Sequence, residues 1–182
     1  MNIANKITLA RVILIPVFCF FLMYDKLPGW SKWVAMGIFI VASLTDFVDG
    51  KVARKYNMVS NFGKFMDPLA DKLLVCTALI CLLYLGKINV YLVLIIIARD
   101  FIINGFRTVA SDNGVVIAAS WWGKVKTAAQ MVMIVLLIAD IEQLAVVNIV
   151  LEWLVLVLTV YSLCDYLVRN RNVLKEPKKE DN

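Results

Sequence analysis

The chain alternates apolar runs with charged segments, and its Lys and Arg residues fall almost wholly in every second segment. The runs occupy residues 12–24, 33–45, 73–86, 88–98, 127–139 and 143–164, the last interrupted by Glu152. The longest stretch without a charge is fourteen residues, 73–86, short of the roughly 20 that a membrane-spanning helix needs. Each run has a charged flank, however, and one or two further turns carry each helix into the headgroup region. With six spans and a cytosolic N-terminus, sixteen of the nineteen Lys and Arg residues fall on the cytosolic side. Only Lys26, Lys32 and Lys87 fall outside. Basic flanks retained in the cytosol produce this bias, and it puts both termini there. A soluble helical bundle has no reason to sort its cations in this way. Composition agrees, with 62% of residues apolar and 18% charged, against about 25% charged in a soluble domain.

The expected fold is therefore an all-α integral membrane protein of six transmembrane helices. It forms a single transmembrane domain over residues 1–170, followed by a polar cytosolic tail over 171–182. Pro28-Gly29, Gly86 and Asp140 are the breakers between spans on the outer side. Lys6 and Arg11 before the first run imitate a secretory signal. Bulky Phe18, Phe20, Phe21 and Leu22 fill the place of a cleavage site, so the run reads as an uncleaved first helix. The net charge of +5 belongs to the cytosolic flanks, and no nucleic-acid partner is expected.

The chain has no histidine. That removes imidazole acid/base catalysis, Ser-His-Asp and Cys-His nucleophile pairs, and imidazole metal ligation. Cys19, Cys76, Cys81 and Cys164 show no C-x-x-C pairing, which argues against a zinc or thioredoxin-like site. They read as small buried apolar residues. Chemistry must come from carboxylates, Lys, Arg, hydroxyls and bound cations.

The carboxylates are arranged for it. The segment Asp46-Phe47-Val48-Asp49-Gly50-Lys51-Val52-Ala53-Arg54 continues to Gly63, Asp67 and Asp71. On a helix, Asp49, Gly50 and Ala53 lie at about −60°, +40° and −20° from Asp46. Two acids and two very small residues thus share one arc. Asp67 and Asp71, four residues apart, share another face. Four close carboxylates repel one another and cannot all ionise unaided. A divalent cation resolves this, and an all-oxygen donor set selects Mg²⁺, Mn²⁺ or Ca²⁺ over Zn²⁺. Four acids on two helices suit a metal pair of the kind used for in-line displacement at phosphorus. Gly50 and Ala53 leave room for a ligand against the helix backbone, and Arg54 can pair with a phosphate. A solvated helix end paired with Lys51, Arg54, Lys55 and Lys72 explains one such acid but not four at this spacing. Ionisable residues beside a bilayer core are candidates for function.

These residues fit the pattern D-x2-D-G-x2-A-R-x8-G-x3-D-x3-D with no departure, at Asp46, Asp49, Gly50, Ala53, Arg54, Gly63, Asp67 and Asp71. The pattern resembles the signature of the CDP-alcohol phosphotransferases, integral membrane enzymes of phospholipid synthesis. The resemblance implies two bound cations, Mg²⁺ or Mn²⁺, held by Asp46, Asp49, Asp67 and Asp71, with Asp71 also the general base on the acceptor hydroxyl. It further implies nucleotide contacts at Gly50, Ala53, Arg54, Ser60 and Gly63, and at Asn5 and Thr8. Taken alone, Asn5 and Thr8 read equally well as a helix cap. A homodimer in the bacterial cytoplasmic membrane, with its active site at the cytosolic boundary, is implied in the same way.

The acids name the reaction and leave the acceptor open. Arg99, Arg107, Lys124 and Lys126 fall on the cytosolic side in the six-span topology. They exceed what a diphosphate needs and point to an acceptor with its own phosphate, although ordinary flanking charge also accounts for Lys124. Arg99 would sit deeper and needs a partner, either Asp100 or a bound phosphate. The Asn2-x2-Asn5-x2-Thr8-Leu9-x-Arg11 start, Arg99-Asp100 and the Gly123-Lys124-Val125-Lys126-Thr127 run resemble the bacterial members that act on CDP-diacylglycerol and sn-glycerol 3-phosphate. Inositol phosphate is the alternative acceptor. From another class, a cation-coupled transporter would use the same acids, but it usually carries them near the midplane on repeated, broken helices.

Overall fold

The computed structural model describes residues 3–24, 28–55, 61–112 and 120–170, with side chains for 9–24, 28–45, 72–111 and 120–170. The polar tail expected over 171–182 lies outside the described residues. The helices are α1 (Ile3–Met23), α2 (Ser31–Lys55), α3 (Asn61–Tyr84), α4 (Val90–Asp112), α5 (Trp121–Ala139) and α6 (Ala145–Arg169), with a 3₁₀ turn at Glu142–Leu144 before α6. Among the described residues there is no strand. A helix satisfies every backbone donor and acceptor within itself, which suits a chain this apolar. The segments Trp121–Ala139 and Glu142–Arg169 are long and apolar enough to cross a membrane. The shorter apolar segments Leu9–Met23, Ser31–Thr45 and Lys72–Tyr84 form parts of α1, α2 and α3. The regular structure among the described residues is thus all helical, and it includes apolar helices that fit a membrane protein.

Contacts divide the chain into two compact units, the first comprising Met1–Asn89 with Ile134–Ala145. There α1 packs against both α2 and α3. Phe18 and Phe39 are fully buried, with ring centroids 6.0 Å apart. Ala35, Ala42 and Ala78 are fully buried too, and such small residues let helix backbones approach where lipid supplies no hydrophobic drive. The thiols of Cys19 on α1 and Cys81 on α3 lie 3.7 Å apart, a proximity that no sequence spacing disclosed. Cys81 is buried, but Cys164 is exposed. The expectation of four buried cysteines therefore holds fully at Cys81 alone: Cys19 and Cys76 are half-buried, and Cys164 shares its exposed side of α6 with Val157, Val160 and Tyr161.

Two of the expected breakers close helices in the left-handed region. Gly86 has φ 68°. Its N–H donates to Leu83 O at 3.0 Å, and that of Lys87 donates to Leu82 O at 2.9 Å, the paired bonds of a glycine-terminated helix. Asp140 has φ 48°, and its N–H donates to Leu136 O at 3.1 Å. A short polar side chain tolerates that conformation better than most. Lys87 Nζ donates to both Asp140 carboxylate oxygens at 2.8 Å. Lys32 Nζ donates to the Asp140 carbonyl at 3.4 Å. Two lysines thus converge on the residue that ends α5.

The second unit comprises Val90–Met133 with Val146–Asn182. On α6 the buried residues are Val155, Thr159, Ser162 and Tyr166, spaced four, three and four apart, so they form one helix face. Ile149, Val150, Trp153 and Val157 are exposed. Thr159 Oγ1 donates back to Val155 O at 2.6 Å and Ser162 Oγ to Thr159 O at 3.1 Å, which keeps both hydroxyls satisfied on an apolar helix. Edge-on aromatic pairs, Phe106 with Tyr166 and Trp122 with Tyr161, join α4 and α5 to α6.

Asp140→Val should lower stability by about 1–2 kcal/mol, because a β-branched residue resists positive φ. Asp140→Gly should cost under about 1 kcal/mol, since the partly exposed Lys87 pair contributes little. Thermal unfolding in detergent checks both; equal losses would mean that the ion pair, not the backbone, matters at this turn.

Candidate active site

Asp46, Asp49, Gly50, Ala53 and Arg54 occupy the C-terminal turns of α2, and Gly63, Asp67 and Asp71 the N-terminal turns of α3. Their side chains lie outside the described residues, as do Ser60 and the side chains of Asn5 and Thr8 on α1. The backbone placement is nevertheless informative. Five residues, 56–60, separate the end of α2 from the start of α3. Asp49 and Asp67 each stand six residues from the helix end at that connection, while Asp46 and Asp71 stand nine and ten. At 1.5 Å per residue these are depths of about 9 Å and about 14–15 Å. The two acidic pairs are therefore matched in depth on consecutive helices, both of which pack on α1 and touch each other. Continuous helix through each pair keeps the three- and four-residue spacings that put its members on one face.

The basic residues belong to the second unit. Arg99 and Asp100 on α4 and Lys126 on α5 are all buried, Lys126 to within 1% of full burial. Arg99 Nη1 and Lys126 Nζ each donate to the same oxygen, Asp100 Oδ1, at 2.9 Å. Arg99 Nε donates to Ser162 Oγ on α6 at 3.2 Å. On the third side of the guanidinium is Gly123, where an added Cβ would stand 3.0 Å from Arg99 Nη2 and 3.2 Å from Ser120 Oγ. One guanidinium therefore touches all three helices of the unit. Ser120 is the cap that starts α5, its Oγ accepting the Gly123 N–H at 3.1 Å. Burial of cations at this depth is tolerable only because a carboxylate and a hydroxyl meet them.

The four predicted acceptor-binding cations differ in setting. Arg99 and Lys126 share one buried carboxylate. Arg107 is half-buried on α4, and its Nε is buried with no hydrogen-bond partner among the described residues. Lys124 is exposed near the start of α5. Ser120, Gly123 and Ser162 were not singled out for these contacts in the sequence. For Gly123 and Ser162 the available signal is a small or hydroxyl residue set into a helix with no turn to form, and for Ser120 a hydroxyl just before a helix.

The family profile for CDP-alcohol phosphatidyltransferase matches residues 1–161. The chain belongs to the CDP-alcohol phosphatidyltransferase family. The resemblance read from eight residues of α2 and α3 thus extends over most of the sequence. Among similar proteins, one of Bacillus subtilis named CDP-diacylglycerol--glycerol-3-phosphate 3-phosphatidyltransferase is 39% identical, covering 96% of this chain and 97% of its own. A protein of the same name from Shigella flexneri is 41% identical over 91% of this chain and 93% of its own. A probable phosphatidylglycerophosphate synthase of Mycobacterium tuberculosis is 38% identical over 92% of this chain and 81% of its own.

In this CDP-alcohol phosphatidyltransferase the buried carboxylate and an exposed ion pair should respond differently to truncation. Asp100→Ala removes the shared acceptor of two buried cations and should cost about 3–5 kcal/mol. Lys87→Ala removes a pair that is 40% and 51% exposed and should cost about 0–1 kcal/mol. Denaturation midpoints in detergent measure both, and comparable losses would show that the cluster relaxes around the missing carboxylate.

Proposed function

We propose that the protein transfers the phosphatidyl group of CDP-diacylglycerol to sn-glycerol 3-phosphate, giving phosphatidylglycerophosphate and CMP. The observation that carries this reading is the pair of depth-matched acidic motifs on α2 and α3 in a chain of this family. The names of the relatives support the choice of donor and acceptor.

In the reaction, Asp71 accepts the proton of the acceptor hydroxyl as its oxygen bonds to the diacylglycerol-bearing phosphorus. The bond from that phosphorus to the CMP oxygen breaks, and CMP leaves with the electron pair. Asp46, Asp49, Asp67 and Asp71 offer only hard carboxylate oxygens, the donor chemistry that fits two Mg²⁺ or Mn²⁺ ions. When bound, these ions neutralise the diphosphate charge and stabilise the leaving CMP. Asn5, Thr8, Gly50, Ala53, Arg54, Ser60 and Gly63 hold the nucleotide. Arg99, Arg107, Lys124 and Lys126 hold the acceptor phosphate, for which guanidinium forks and ammonium groups are suited.

The reaction belongs at the cytosolic boundary of a bacterial cytoplasmic membrane. In this reading all six helices span the bilayer, and residues 1–170 act as one domain with a polar tail over 171–182. Helix lengths of 19–25 residues correspond to about 28–37 Å, enough for a hydrocarbon core of about 30 Å. The sixteen-to-three charge bias supports the orientation. The protein works as a homodimer.

The direct test is lipid product analysis. Purified protein given CDP-diacylglycerol, Mg²⁺ and sn-glycerol 3-phosphate should form phosphatidylglycerophosphate and stoichiometric CMP. Product only with inositol phosphate would reassign the acceptor, and no acceptor-dependent CMP release would sink the enzyme reading in favour of cation passage. Asp71→Asn should lower turnover by about 10²–10⁴-fold, the usual worth of a general base, while retaining nucleotide binding; near-normal turnover removes Asp71 from that role. With no histidine to form a covalent intermediate, a chiral donor phosphorus should be transferred with inversion, and retention would refute single displacement.

A further inference from the structure

The Arg99 cluster contains a residue that the proposed reaction does not yet use. Asp100 lies next to Arg99 in the chain, and consecutive helix residues point about 100° apart. Left to rotamer preference, the two side chains would diverge. Instead the guanidinium turns back to Asp100 Oδ1 at 2.9 Å while its Nε reaches Ser162 at 3.2 Å. The same Oδ1 accepts Lys126 Nζ at 2.9 Å from another helix. Two cations on different helices are thereby pinned to one oxygen atom. Both have long stems with several rotatable bonds, and each loses rotamer freedom of order 2 kcal/mol when fixed. The cost is met in folding, before any ligand arrives. Gly123 completes the arrangement, because its missing Cβ is what lets Nη2 lie against the first turn of α5.

We propose that Asp100 is a positioning residue for the acceptor phosphate. Its shared carboxylate holds Arg99 and Lys126 as one preset cationic pair, with Ser162 and Gly123 fixing the guanidinium plane. The inference rests on the reading that Arg99 and Lys126 meet that phosphate. A preset pair lowers the entropic penalty of ligand binding, so its loss falls on acceptor affinity and leaves the lipid nucleotide untouched. A purely structural carboxylate would affect both substrates together.

The experiment compares wild type, Asp100→Asn, Gly123→Ala and Lys126→Met as purified full-length protein, with KM measured separately for each substrate. Asp100→Asn should raise KM for sn-glycerol 3-phosphate about tenfold, equivalent to about 1.4 kcal/mol, and change KM for CDP-diacylglycerol less than twofold. Gly123→Ala should act in the same direction without unfolding the protein. Its methyl group meets only the ends of side chains, and alanine is the better helix former. If Asp100→Asn does not fold, Gly123→Ala decides: an acceptor-selective rise supports the positioning role, and an unchanged acceptor KM overturns it. Equal changes in both KM values also overturn it. Lys126→Met separates the two levels of the reading. An acceptor-selective effect there, without one in Asp100→Asn or Gly123→Ala, rejects positioning alone. No effect in any variant rejects the acceptor-binding reading, and this inference with it.

Discussion

A charge carried into an apolar helix bundle must be met by a partner, and much of the second unit follows from that constraint. Arg99 enters a helix whose neighbours offer few polar atoms. Its guanidinium is met on three sides, by Asp100 on α4, Ser162 on α6 and the bare backbone of Gly123 on α5. Each contact fixes something larger. Ser162 must fall on the same face of α6 as Val155 and Thr159, so the register of α6 is set. Gly123 must lie in the first turn of α5, so the Ser120 cap fixes where that helix starts. A hydrophobic contact could slide by a residue at small cost, whereas these hydrogen bonds have narrow geometry and an expensive alternative.

The acids of the first unit follow a different logic. Like charges disperse unless something holds them, and here the holding is done by helix geometry. Apolar segments Ser31–Thr45 and Lys72–Tyr84 pack their helices onto α1 through alanines and one buried phenylalanine pair. The acids stand beyond these packed segments, toward the ends that share a short connection. The motif is thus an appendix of two well-seated helices, and its depth match is inherited from their lengths.

Much of this was legible in the sequence, for reasons that differ by element. The helical class, the breakers at Gly86 and Asp140, and the family motif all rest on local signals: apolar runs, residues that accept positive φ, and fixed spacings along one helix. The depth match needed the helix ends, which apolar runs locate poorly because α2 and α3 continue through charged residues without a break. The three-helix embrace of Arg99 was hidden for another reason. A serine in an apolar run is ambiguous until the opposing helix is known, and the Cys19–Cys81 approach joins residues 62 apart in sequence. Cys164 was misjudged because apolar character predicts avoidance of water, and in a membrane helix lipid satisfies that as well as a core does.

The adjacency of Arg99 and Asp100 also bears on how such a protein is made. A lone Arg in an apolar helix makes that helix costly to bury, because its charge must be desolvated without a partner. α4 precedes α5 and α6 in the chain, so it is synthesised before they can offer Gly123, Lys126 or Ser162. Of the partners described for Arg99, Asp100 is the one already in place, one residue away. α4 therefore carries a counter-ion for Arg99 within its own sequence, before the later helices add their contacts.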